Sequence, residues 1–225
     1  MILKNIEVLK EGKSFKIVYK PPFVLSEHIS SFICHRLDLE TSGLLLVAKN
    51  KKAQNFFKAQ FKKRRVIKFY KALVLGKFKE KTTVSGLIMR VKKRPYGFRP
   101  IFDLKNNLIN KDYLILPSGK KARFSKTEFI PLKCEPKKIF EDKYKEFNFV
   151  SLVLAKPLTG RRHQIRIHLK YLGFPILGDK IYSSKLSRKA NKILNITQLQ
   201  LFSIYLEFET PEGKKIKYRF KNHSI

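Results

Sequence analysis

Asp38 is the carboxylate in this chain whose surroundings most suggest chemistry. It lies in His35-Arg36-Leu37-Asp38-Leu39-Glu40-Thr41-Ser42-Gly43, which runs into Leu44-Leu45-Leu46-Val47-Ala48-Lys49. A charged cluster precedes a Thr-Ser-Gly turn signal, and an apolar run of strand length follows, closed by Lys49-Asn50. That order sets Asp38 in a loop at the mouth of a buried strand, where catalytic groups often sit. A lone aspartate before such a turn is more often a turn residue whose carboxylate accepts backbone N–H bonds.

Two further blocks carry reactive side chains. Lys68-Phe69-Tyr70-Lys71-Ala72-Leu73-Val74-Leu75-Gly76 alternates like a strand and ends on glycine. Thr159-Gly160-Arg161-Arg162-His163-Gln164-Ile165-Arg166-Ile167-His168-Leu169 leads to Gly173-Phe174-Pro175-Ile176-Leu177-Gly178-Asp179 and Tyr182. The spacing predicts a helix with Thr159 as N-cap and Gly173 with Pro175 as its stop. Ile165, Leu169 and Leu172 make its buried stripe, and Arg162, Arg166 and Lys170 form a cationic stripe, the usual composition of a solvated face. No metal site is expected. His163 and His168 are five apart, not the four that share a helical face, and Cys34-His35 has no second half.

The elements that must position these groups are readable in part. Phe15 to Tyr19 is a strand ended by Lys20-Pro21-Pro22. Residues 23–34 form a connector. Ala53, Phe56, Phe57, Phe61 and Val66, at three- to five-residue spacing, predict an amphipathic helix over roughly residues 51–64, whose terminal Lys62-Lys63-Arg64-Arg65 suits the helix dipole and could also meet phosphate. Residues 77–126 read as the least regular part. They hold Lys92-Lys93-Arg94-Pro95-Tyr96-Gly97-Phe98-Arg99, a basic and aromatic loop suited to gripping phosphates through Lys92, Lys93 and Arg94. Strands follow near 126–134 and 147–155. The tail from Leu199 to Phe220 reads as two strands joined at Thr210-Pro211-Glu212-Gly213.

Composition narrows the partner. Fifty Lys and Arg against seventeen Asp and Glu give a formal charge of +33, which favours a polyanion. Nucleic acid is preferred over an anionic membrane, because no amphipathic anchor or lipidation site is visible and no apolar run is long enough to span a bilayer. The nineteen Phe and nine Tyr are mostly core or strand residues. Cys34 and Cys134 suggest neither a disulfide framework nor a metal knuckle, so a reducing cytoplasm is expected. A length of 225 residues suits one large domain or two small ones.

The first block resembles the signature His-Arg-Leu-Asp-x-x-Thr-Ser-Gly-Leu-Leu of the RluA-type RNA pseudouridine synthases. The Tyr70 strand resembles that family's Lys-x-Tyr-x-Ala-x-Val-x-Gly. Thr159 to Tyr182 resembles its Thr-Gly-Arg-x-His-Gln-Ile-Arg-x-His-Leu and Pro-x-Leu-Gly-Asp-x-x-Tyr blocks. Three separated blocks in the right order are far more specific than one. The resemblance covers roughly residues 15–220. It implies an α+β fold, with a long, mixed, mostly antiparallel sheet, flanking helices and a central RNA-binding cleft. It also implies a single catalytic domain over 1–225, without the S4-type N-terminal module that many relatives carry. The glycine that the family has after Lys-Pro is missing from Lys20-Pro21-Pro22-Phe23.

The implied reaction is isomerisation of uridine to pseudouridine in ribosomal or transfer RNA, ribosomal RNA being favoured, by a monomer without cofactor or metal. Asp38 is then the carboxylate acting on the ribose, by attack at C1′ or by removing the C2′ proton. Arg166 is the basic residue that pairs with it. Tyr70 stacks on the flipped uracil and helps move the C5 proton. His35 and Arg36 contact the substrate, Arg36 holding the base out, and Leu177 is the apolar floor of the uracil pocket. A non-catalytic RNA-binding or ribosome-assembly protein of the same fold would share the charge but would need no aspartate facing a polyanion. A hydrolase would need a second carboxylate, and Glu40 is too near in sequence to serve.

Overall fold

Two strands named by the sequence organise the first part of the molecule. The computed structural model describes residues 6–91, 97–101, 113–115, 119, 121–140 and 142–220. Its chain divides into two compact units, one of Met1–Lys71 with Leu201–Ile225 and one of Ala72–Gln200. In the first unit β2 (Phe15–Lys20) pairs antiparallel with β3 (Ser42–Ala48), from Phe15↔Ala48 to Lys20↔Gly43. β3 is buried at every position, as its unbroken apolar run requires of a strand covered on both faces. β1 (Val8–Glu11) edges β2, and β10 (Leu201–Glu209) lies parallel to β3 on its other side, with Ser203 opposite Gly43. β11 (Lys215–Arg219) returns along β10 after the expected turn at Thr210–Gly213.

The helix predicted over 51–64 is α2 (Lys51–Lys62), capped by the Asn50 side chain on the Ala53 N–H at 2.9 Å. It ends before Arg64, whose φ is +58°. Phe57 sits edge-on to Phe208, which meets Phe15 the same way, so these aromatics are core as expected. A shorter helix, α1 (Ser26–Ile29), interrupts the connector. β4 (Ile67–Leu75) runs from the first unit into the second.

The second unit corrects the reading of residues 77–126 as irregular. They contain β5 (Thr82–Val91), β6 (Gly97–Ile101), β7 (Tyr113–Ile115) and the start of β8 (Lys121–Pro136). With β9 (Phe149–Pro157) the order is β9-β8-β5-β6, β7 pairing β8, all antiparallel. Thr82, Thr83, Ser85 and Gly86 blur the pattern of β5. Its place is fixed by long-range pairing with β8, from Thr82↔Phe129 to Met89↔Ala122. β8 shifts register between Pro131 and Lys133, where proline can donate no ladder bond.

Helices α3 (Gln164–Tyr171) and α4 (Lys185–Ile193) complete this unit. Thr159 does not cap α3. His163 stands at the cap position with φ +55°, while the Thr159 hydroxyl donates to Gln164 Oε1 and accepts the Lys126 N–H. The expected cationic stripe also breaks up: Arg162 precedes the helix, and Arg166 is buried. The fold is α+β, with a mixed, mostly antiparallel sheet.

Gly43 tests the parallel contact of β3 and β10. Its φ is +110°, and a Cβ there would stand 2.2 Å from the Ser203 carbonyl oxygen. Gly43→Ala should cost on the order of 3–5 kcal/mol, among the larger single-residue effects. Gly213→Ala, at φ +75° in open space, should cost about 1 kcal/mol from backbone strain alone. Urea midpoints of the two variants check this, and equal midpoints would remove the close approach as a constraint.

Candidate active site

Asp38 sits in a turn that is fastened through the backbone of its neighbours. The Thr41 N–H donates to the Asp38 carbonyl at 3.0 Å. On the preceding side, the buried Ser26 hydroxyl of α1 accepts the Leu37 N–H at 3.1 Å and donates to the Leu37 carbonyl at 3.3 Å. On the following side, the Leu39 carbonyl accepts the Phe23 N–H at 2.8 Å and the Lys20 ammonium at 3.1 Å. Lys20 is fully buried at the end of β2 and donates a second bond to the Pro21 carbonyl at 2.9 Å. Burial pushes its ammonium down to about 8, against the opposing pull of the Asp38 charge.

Tyr70, on β4 in the same unit, is 7% exposed. Burial first, and then the Asp38 charge, push its phenol well above the usual range, so it stays a neutral O–H donor. The Ser203 hydroxyl is near enough to oppose that shift, but its geometry closes no hydrogen bond. Ser203 and Thr41 are the two buried hydroxyls without a partner among the described residues. Thr41 closes the Asp38 turn and Ser203 lies on β10 opposite Gly43, and unsatisfied buried groups are uncommon enough to mark a site.

His35 and Arg36 are held differently. The His35 Nε2 accepts the Leu46 N–H at 3.1 Å, and its ring stacks on Phe61 at 4.5 Å. Burial, with the Lys68 charge behind it, lowers the imidazole to about 3, so the ring is neutral and ties the loop to β3. Arg36 is exposed and pairs with Glu27 of α1 at 2.8 Å. Lys92, Lys93 and Arg94 lie outside the described residues.

Arg166 and Leu177 belong to the second unit. Arg166 donates from Nε and Nη2 to the two carboxylate oxygens of Asp179, each at 2.8 Å, and both side chains are 1% exposed. Asp179 Oδ1 also accepts the N–H groups of Ile181 and Tyr182. The Tyr182 ring faces the guanidinium at 5.4 Å and its hydroxyl meets His163 Nδ1 at 3.0 Å. Gln164 uses its whole amide, on Thr159, Arg161, Lys126 and Thr127. His168 lies between Thr127 and Ser125, and burial lowers it to about 3. Leu177 packs with Leu75, Phe140 and Val150 and is fully buried. Among the described residues no group of three or more metal-binding side chains occurs, and no helix is long and apolar enough to cross a membrane.

A family model described as RNA pseudouridylate synthase matches residues 13–171. The chain belongs to that family, in its RluA-type branch. It is 36% identical over 206 residues to ribosomal large subunit pseudouridine synthase D of Borreliella burgdorferi, covering 92% of this chain and 52% of the relative. It is 34% identical over 181 residues to ribosomal large subunit pseudouridine synthase C of Vibrio parahaemolyticus, covering 80% and 48%. The chain thus spans about half the length of these curated relatives. The solved structure of human RNA Pseudouridylate Synthase Domain Containing 1 matches with a TM-score of 0.75 at 27% identity, covering 97% of this chain and 84% of that one.

The sequence reading missed Lys20 and Ser26 as supports of the Asp38 turn. Lys20 was visible only as the lysine before a proline pair, and nothing in the order of residues marks Ser26 as a clamp on Leu37.

The buried histidines predict an acid-side loss of stability. His168 ionises near 3 when folded and near 6.5 when exposed. Between those values the unfolded chain binds a proton that the folded chain excludes. This stability is intact above about pH 6.5 and is lost as pH falls toward 3, at up to about 1.4 kcal/mol per pH unit. Urea unfolding from pH 7 to 4.5 should show a slope that His168→Gln flattens by about one proton. An unchanged slope would mean the imidazole is not kept neutral by the fold.

Proposed function

We propose that the chain isomerises uridine to pseudouridine in RNA, and that its substrate is ribosomal RNA of the large subunit. The observation that carries the reading is the pairing, within one unit, of the Asp38 turn with a neutral, buried Tyr70 phenol that feels the Asp38 charge. The names of the curated relatives support the large-subunit substrate.

In this reading the target uridine leaves its stack, at a cost of a few kcal/mol. The Asp38 carboxylate acts on the ribose, by attack at C1′ or by taking the C2′ proton, and the N1–C1′ bond breaks. The uracil turns, C5 bonds to C1′, and the C5 proton is lost while N1 gains one. Every atom is kept, so the chemistry needs neither oxidant nor phosphate energy. Tyr70 stacks on the uracil and lends its O–H to the proton movement. Arg166 is the family's basic residue, its plane fixed by Asp179. Arg36 and His35 serve the substrate side of the loop, and Leu177 the apolar side of the base pocket.

Release of tritium from C5-labelled uridine tests the reading. Asp38→Asn keeps the size, and the bonds that fasten the turn go to backbone groups, so the variant should fold and bind RNA. It should release no label, while Glu40→Gln, at a position the family signature leaves variable, should stay active. Wild-type release by Asp38→Asn would sink the mechanism. No release by wild type from any cellular RNA would favour a protein that only binds RNA.

Tyr70→Phe separates stacking from proton movement. It keeps a face worth on the order of 1–3 kcal/mol per base. If the hydroxyl works in proton transfer, turnover should fall about 10²–10⁴-fold with RNA affinity unchanged. Near-normal turnover would remove the hydroxyl from the mechanism.

A further inference from the structure

Helix α4 is built against its own electrostatics. Between Asp179 and Glu207 the sequence has five cations and no carboxylate. On α4 these are Lys185, Arg188, Lys189 and Lys192, all exposed. Their spacing of three and four sets them on one face, where like charges destabilise a helix. Lys185 stands in the first turn, which holds no acidic residue and where the helix dipole disfavours a cation. The Ser184–Ser187 capping box and the packing of Ala190 against Leu75, Phe140 and Leu177 hold the helix despite this. Among the described residues none of the four cations forms an ion pair; Arg188 reaches only the Ser183 hydroxyl, and Lys189 lies 5.8 Å from the Phe140 ring centre. Such a conflict between local preference and fold is characteristic of functional surfaces.

A second group of lysines lies beyond Phe140. Its N–H and that of Ile139 donate to the Asn148 side chain, which closes the loop before β9. On that loop lies an open depression of about 780 Å³, lined among the described residues by Lys77, Lys137, Lys138 and Lys145 together with Pro136, Asn148 and Phe149. Glu135 offsets Lys137 at 3.5 Å. Lys77 lies 4.5 Å from the centre of the Phe149 ring.

We propose that α4 and this adjoining depression form an RNA-contact surface separate from the residues that act on the uridine, gripping the phosphate backbone of folded RNA. It rests on the reading that the substrate is RNA, and it takes backbone without regard to base. Four exposed cations at helical spacing match a row of phosphates better than they match any single anion.

The test changes Lys185, Arg188, Lys189 and Lys192 together to Ala. A control changes Lys10, Lys51, Lys52 and Lys58, also exposed and removing the same charge. Binding to a long RNA hairpin of arbitrary sequence is measured from low to high salt. The α4 variant should bind at least tenfold more weakly at physiological salt, with a log–log salt slope shallower by up to about three, at roughly 0.7–0.9 per contact. The control should change much less. Tritium release from folded ribosomal RNA should show a raised KM with kcat unchanged. Equal losses in the two variants, or no change of slope in the α4 variant, would overturn the surface. The binding arm needs no turnover, so a wild type that releases no tritium would end the isomerase reading and leave this test standing.

Discussion

The turn that presents Asp38 is secured through the backbone of its neighbours. Ser26 satisfies both polar atoms of the Leu37 backbone, and Lys20 and Phe23 together satisfy the Leu39 carbonyl. Lys20 is the costly member. A buried ammonium is disfavoured, and between about pH 8 and its ordinary value of 10.5 the folded chain holds less of this proton than the unfolded one. Stability therefore rises with pH across that window and is diminished below it. The Asp38 charge recovers part of the loss.

The same unit shows how two neighbouring family positions are held. His35 spends its acceptor nitrogen on Leu46 and its face on Phe61, and its low pKa follows from that burial. Arg36 points to solvent beside Glu27. An exposed pair of this kind is worth only about 0–1 kcal/mol, so Arg36 can exchange Glu27 for a phosphate or a base at little cost.

Strong periodicity was legible and weak periodicity was not. β3 follows from an unbroken apolar run and α2 from a three- to five-residue apolar spacing. β5 was missed because threonine, serine and glycine fill it, and its pairing with β8 joins residues some forty positions apart. α4 was missed because nine residues with few apolar side chains leave little stripe to read. Thr159 has the right chemistry for a cap, but its hydroxyl is claimed by Gln164 and Lys126, a tertiary arrangement that sequence order does not encode. The signature blocks named Asp38, Tyr70 and Arg166 but not their supports, because Ser26 and Lys20 act through backbone bonds that any spacing statistic overlooks.

Arg166 illustrates how a string that looks catalytic is also a mount. A buried ion pair yields little net stability, since desolvation consumes most of the Coulomb gain. Here the pair is bidentate, and Asp179 is itself fixed by the N–H groups of Ile181 and Tyr182. Gly178 precedes it at φ +75°, where a Cβ would fall 1.8 Å from the Gln198 carbonyl oxygen. The turn thus admits only glycine, the aspartate follows in a single orientation, and the guanidinium plane is set by that aspartate. Gln164 and His168, with every polar atom partnered, fasten the first turns of α3 to β8. What the pair contributes is direction: Asp179 sets the Arg166 rotamer, so under the proposed function no ordering cost for that side chain would remain when the substrate arrives.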